Sequence, residues 1–286
     1  GLYLSRDGGQ IWERPTLDDY AVWQIRGDSK GVLYAGTNPA ELFKSVDGGR
    51  NWKSIESFRE IVDREGWCIP LDPPIPSQAR AIVIDAQNDQ QIWVGVEVGG
   101  ILHTQNGGES WVVGCPGENP DLHMIFPHPE KPGTLFASTG YGRLDGIAEM
   151  AEGNAGVFRS DNSGASWEYV WQGISPRYSR PMCIDLSPPF AITVGSAPTA
   201  FSSYKDQGGA EAMLFRSEDD GVTWRSLCDP MHTPSPVNFH GLAANPENPG
   251  SVFVGTDNGE LWSVGSNCQW ELLVDNLPAV LSIMPS

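Results

Sequence analysis

A short turn of the form Ser/Thr, any, Asp/Asn, any, Gly, any, any, Trp recurs six times along the chain. The copies are Ser5 to Trp12, Ser45 to Trp52, Thr104 to Trp111, Ser160 to Trp167, Ser217 to Trp224 and, in degenerate form, Ser263 to Trp270. Their Trp residues stand 40 to 59 positions apart, the period of a repeat architecture rather than of one continuous core. An alternating apolar segment precedes most copies, as in Glu41-Leu42-Phe43-Lys44, Gly156-Val157-Phe158-Arg159 and Met213-Leu214-Phe215-Arg216, and the Trp opens another after it. Each copy therefore reads as strand, tight turn, strand. A short Asp or Asn oxygen accepts backbone N–H bonds inside the turn, Gly supplies a positive φ, and the indole packs beneath as an anchor.

The turn resembles the Asp-box, or BNR, repeat of sialidases, xyloglucanases, sortilin-type receptors and photosystem assembly factors, and the resemblance runs the length of the chain. It implies an all-β, six-bladed β-propeller. It implies no particular activity, since the same blade serves hydrolases and binding proteins. The Asp residues of the turns are structural on this reading.

Each blade is expected to hold four strands, with the Asp box joining the third to the fourth. First strands fall at Val22–Ile25, Arg80–Ile84, Leu122–Phe126, Met182–Asp185, Phe239–Leu242 and Val280–Met284. Second strands fall at Val32–Ala35, Ile92–Val94, Thr134–Ala137, Ile192–Val194 and Val252–Val254. The N-terminal repeat shows only third and fourth strands, so the last first strand is expected to join them in a shared blade that closes the ring. One domain spanning residues 1–286 is expected.

Composition narrows the partners. The 286 residues carry 36 Asp and Glu against 18 Lys and Arg, a net charge of −18. Such a surface repels nucleic acid and anionic membranes, and no apolar run is long enough to span a bilayer. The five cysteines, Cys68, Cys115, Cys183, Cys228 and Cys268, show no CxxC spacing and imply no disulfide framework. The absence of a glycosylation sequon and of a secretion signal favours a cytoplasmic location over secretion.

Antiparallel order puts the Asp boxes at one end of each blade and the longest insertions, about 57–77, 140–155, 173–180 and 196–212, at the other. Near that second end, alignment of the first strands brings Trp23, Arg80, His123, Met182, His240 and Leu281 to one position, expected to ring the tunnel mouth. Two residues after the Gly that ends the second strand stand Asn38, Glu97 and Asp257, and two before a ring His stand Asp121 and Asn238. Tyr141 and Arg143 follow the third second strand, in a loop that also carries Glu149 and Glu152. The segment Phe58 to Glu65 has helical composition and reads as a spacer.

Two function classes follow, with a third behind them. A glycoside-cleaving enzyme would use Glu97 with Asp121 or Asp257 as acid and base or nucleophile, assisted by His123 and His240. A non-catalytic module would bind a carbohydrate, another small molecule or a protein partner through Trp23, Asn38, Arg80, Tyr141, Arg143 and Met182 on the long-loop face. A metal-assisted hydrolase or lyase would use His123 and His240, which are too few ligands unless Asp121 or Glu97 completes the set. No cofactor and no metal is assigned. A sialidase is disfavoured, because the Phe/Tyr-Arg-Ile-Pro motif that opens those enzymes has no counterpart here.

Overall fold

The computed structural model describes residues 1–140, 154–198 and 209–285. Almost all regular structure is β. Five four-stranded antiparallel sheets each run in simple sequence order, so every strand pairs with the one before it. The first strands are Ala21–Gly27, Gln78–Ile84, Leu122–Pro127, Tyr178–Ile184 and Phe239–Ala244. The second strands are Leu33–Asn38, Ile92–Glu97, Leu135–Thr139, Ile192–Ala197 and Val252–Thr256. The chain divides into two compact units, one of residues 1–115, 120–125 and 143–147, the other of residues 116–119, 126–142 and 148–286.

Inner strands are buried on both faces, which explains their continuous apolar runs: Ile92–Glu97 and Ile192–Ala197 are buried almost throughout. A small residue recurs in the second strand where the next first strand crosses it. A Cβ at Gly95 would run into Leu122 and at Gly255 into Val280, at Gly36 it would stand 2.5 Å from the Ala79 carbonyl, and at Gly195 Phe239 Cβ lies 3.5 Å away. Ser138 takes this position in the third sheet and donates its hydroxyl to the Arg180 carbonyl.

The turns form as the sequence requires. In the first sheet the backbone N–H of Gly49 donates to Ser45 Oγ at 2.9 Å, and those of Arg50 and Asn51 donate to Asp47 Oδ1 at 3.1 and 2.9 Å. Gly49 adopts φ 82°, a conformation that a side chain would strain. Three of the Trp residues reach back to the segment leaving an earlier sheet. Trp111 Nε1 donates to Ser57 Oγ, Trp224 Nε1 to the Val170 carbonyl and Trp270 Nε1 to the Leu227 carbonyl, at 3.1, 2.9 and 3.0 Å. Trp12 is exposed.

The terminal blade differs from expectation. Leu2 and Thr16 make an isolated bridge, and 275–285 hold no strand, so the described ladders form five sheets of four rather than six. Val280 nevertheless hydrogen-bonds with both Gly241 and Thr256. The insertion after the first sheet is a helix, Glu56–Glu65, and a short hairpin, Cys68–Ile69 with Ile75–Pro76. It is more than a spacer: Phe58 is fully buried, 5.5 Å from the Trp111 ring, and Ile61 is buried with it. Among the described residues no disulfide joins any of the five cysteines. No helix among the described residues is long and apolar enough to cross a membrane.

Candidate functional site

The first strands carry a repeated irregularity that the sequence pattern does not announce. The pairing register slips by one residue at Trp23, between Val22 and Gln24, at Arg80, between Ala79 and Ala81, and at His240, between Phe239 and Gly241. A bulged residue leaves the ladder and its side chain is re-aimed, which is why bulges mark functional positions. Three of the six aligned residues thus leave the ladder. Antiparallel order sets them, with the ends of the second strands, opposite the Asp boxes.

In the fourth sheet the slip lies between Ser179 and Met182 and takes in Arg180 and Pro181. The alignment at Met182 is therefore corrected. Met182 pairs with Val194 and is fully buried, and Arg180 holds the place of Arg80 and His240. Pro181 marks a strand start in the sequence, but at a bulge its missing N–H costs the ladder nothing. Arg180 could have been found by counting: Arg80, His123, Arg180 and His240 each stand 12 residues before the opening of their second strand.

In the first unit the bulge at Arg80 anchors a charged cluster. Arg80 lies with its guanidinium 4.7 Å from the Trp23 ring centroid and donates an Nη1 ion pair to Glu97 Oε2 at 2.9 Å. Glu97 ends the second strand and makes a backbone bridge to Asp121, just before the third sheet. That bridge brings the His123 imidazole alongside, its Nε2 3.3 Å from Asp121 Oδ1 and 4.0 Å from Glu97 Oε1. The oxygens of Glu97 and Asp121 and the His123 nitrogen all lie within 4.8 Å of one another. His123 is fully buried, Asp121 nearly so, and Glu97 and Arg80 are 13 and 14 % exposed. Trp23 presents its ring to solvent at 45 % exposure. Asn38 is elsewhere in this unit, donating its amide to the Pro76 carbonyl.

In the second unit His240 Nε2 meets Asp257 Oδ1 at 2.7 Å. Burial pushes the Asp257 carboxyl up, but hydrogen bonding and charge from His240, a hydrogen bond from Asn238 and the charge of Arg180 outweigh it and hold the pKa low. Arg180 and Asn238, with Tyr178, Pro181, Ser196 and Phe239, line a shallow open depression. Ser196 Oγ is buried there without a hydrogen-bond partner. Tyr178 and Ser196 were not singled out by the sequence, where nothing sets them apart from ordinary strand residues. Leu281 is exposed. Tyr141 and Arg143, with Glu149 and Glu152, lie outside the described residues.

Comparison with known proteins places this geometry among propellers. No family model matches the chain. It is 25% identical over 230 residues to an oligoxyloglucan-reducing end-specific xyloglucanase of Emericella nidulans, a match covering 71% of this chain and 26% of that protein. It is 27% identical over 122 residues to the photosystem II assembly lipoprotein Ycf48 of a Synechococcus strain, covering 43% of this chain and 28% of the relative. Among solved structures, an ancestral GH74 enzyme superposes with TM-score 0.69 at 13% identity, over 96% of this chain and 36% of that one. The chain spans about a quarter of the length of the curated relatives it matches. These relatives are β-propeller proteins, and the fold is theirs.

Proposed function

We propose that this β-propeller protein, related to xyloglucanases and to Ycf48, holds a carbohydrate on the patch formed by Trp23, Arg80, Glu97, Asp121 and His123, and binds it without cleaving it. One observation carries the reading: an exposed indole lies against a guanidinium whose far side is fixed by a carboxylate. A sugar ring offers an apolar face to pack on such an indole and hydroxyls for fixed donors and acceptors beside it. Cleavage would ask one carboxyl to deliver a proton and the other to attack. Here Glu97 is held by Arg80 and Asp121 lies against His123. The relatedness to a xyloglucanase supports the ligand class. The blade plan is proposed to be six, because Val280 sits over Gly255 as Ala79 sits over Gly36 and Leu122 over Gly95.

A hydrolase is the second reading. The carboxylate oxygens of Glu97 and Asp121 lie within 4.8 Å, near the carboxyl spacing of about 5–5.5 Å in retaining glycosidases. Titration calorimetry with xyloglucan and other neutral oligosaccharides, together with product mass analysis, decides between them. The expected result is saturable binding, weakened roughly tenfold or more by Trp23→Ala, with substrate masses unchanged. New product masses that vanish in Glu97→Gln would replace binding by hydrolysis. Absence of binding across the panel would overturn the carbohydrate reading.

A further inference from the structure

The geometry points to a divalent-cation site at Glu97, Asp121 and His123, taking a borderline ion such as Zn²⁺ or Mn²⁺. Three donors from two elements converge here: the end of the strand Ile92–Glu97 supplies one carboxylate, and the entry to Leu122–Pro127 supplies the other carboxylate and the imidazole. Donors bound to one such ion at about 2.0–2.2 Å stand about 3.0–3.5 Å apart. The Nε2 to Oδ1 distance of 3.3 Å already meets that spacing, and the Nε2 to Oε1 distance of 4.0 Å closes to it by a small turn of the Glu97 side chain.

The two oxygens of Glu97 have separate partners. Oε2 is ion-paired with Arg80 Nη1 at 2.9 Å, and Oε1 is the oxygen nearer the imidazole. Arg80 thus acts as an outer partner that orients a ligand, as the hydrogen-bonded neighbours of metal-bound carboxylates do. Mixed imidazole and carboxylate donors suit a borderline transition ion better than Ca²⁺, which prefers an all-oxygen shell. Three protein donors leave coordination positions for water or for a ligand oxygen.

The cation site does not depend on the sugar reading, and one experiment separates them. Chelator-treated protein is titrated with Zn²⁺ and with Mn²⁺ by calorimetry at neutral pH, and retained metal is measured after dialysis. One equivalent per chain is expected, bound at least tenfold more weakly by the isosteric variants Asp121→Asn and Glu97→Gln. His232→Ala, which removes the separate pair of His232 with Asp229 at 2.9 Å, is expected to bind as wild type. Folded wild-type protein that retains no metal overturns the site, with no variant needed, and so does binding undiminished in both isosteric variants. Oligosaccharide binding in protein that takes up no metal would leave the sugar reading standing while the cation site fell.

Discussion

Two clusters in this molecule occupy matching places in their sheets and differ in what they hold. The first has Arg80, Glu97, Asp121 and His123; the second has Arg180, Asp257, Asn238 and His240. Each places an arginine at a bulge, a carboxylate at the end of a second strand, and an Asp or Asn two residues before a histidine. The Asp121-to-Asn238 difference removes a negative charge. The second cluster is a simple ion pair at 2.7 Å with its imidazole partly exposed, and its carboxylate comes from the histidine's own sheet, whereas Glu97 comes from the sheet before that of His123. In the first, a fully buried imidazole is shared between two carboxylates. The lesson is that two things together set what a histidine meets at this position: the sheet that supplies its carboxylate, and whether an acid or its amide stands two residues before it.

The largest expected effect tests that asymmetry directly. His123→Ala removes a fully buried imidazole packed beside Asp121 and Glu97 and is expected to cost roughly 3–5 kcal/mol, the scale of truncating a large buried ring. His240→Ala removes one charged hydrogen bond at a wetter position and is expected to cost about 1.5–3 kcal/mol. Urea unfolding of both variants gives the order. A smaller loss at His123 than at His240 would mean that the burial difference carries no energetic weight.

Much of this was legible before the structure. Gly36, Gly95 and Gly255 placed the ends of the second strands, and counting two residues on reached Asn38, Glu97 and Asp257. Trp23, Arg80, His123 and His240 were aligned by spacing alone. What the sequence hid was the bulge, because an extra residue in a strand leaves the apolar pattern intact on both sides of it. That is why Arg180 was passed over for Met182: Pro181 looked like the edge of a strand that in fact begins at Tyr178. Asn38 shows the complementary failure, since its register is right but a hairpin contact with Pro76 takes its amide. Register reports where a backbone goes; it does not report which neighbours a side chain will meet.

The second cluster offers an intermediate effect, read through pH. Asp257 has a pKa below the ordinary carboxylate value in the folded protein: burial opposes this, and His240, Asn238 and Arg180 overcome it. A folded pKa below the unfolded one gives stability that is present above the unfolded value, about 3.9, and lost as pH falls through the folded value. His240→Gln removes the main lowering partner. The variant is therefore expected to show a shallower acid limb below about pH 4 than wild type, measured as melting temperature against pH. An acid limb unchanged in slope would show that the pair contributes nothing to the linkage.

The smallest effect comes from making the same Asp-to-Asn exchange where the scaffold is indifferent to it. The turns already contain both residues: Asp47 Oδ1 accepts from the Asn51 N–H at 2.9 Å, and Asn106 and Asn162 accept from Ser110 and Ser166 at 3.0 and 2.9 Å. What a turn needs first is an acceptor oxygen, and at this solvent-facing position most of what the charge adds is screened. Asp47→Asn is accordingly expected to leave the melting temperature at neutral pH within about 2 °C of wild type. The backbone N–H and side-chain amide of Asn51, with Ser45 and the Arg50 N–H, hold the Asp47 carboxyl down to about 2 despite the opposing pull of burial. Its contribution is therefore full above its ordinary value of 3.8 and lost as pH falls through about 2. Asn has no proton to take up in that window, so the variant is expected to gain on wild type as pH falls from 4 to 2, as thermal melts at the two values would show. A large loss at neutral pH would mean that the charge matters at the turn as it does at Asp121, and the distinction between scaffold and site would have to be redrawn.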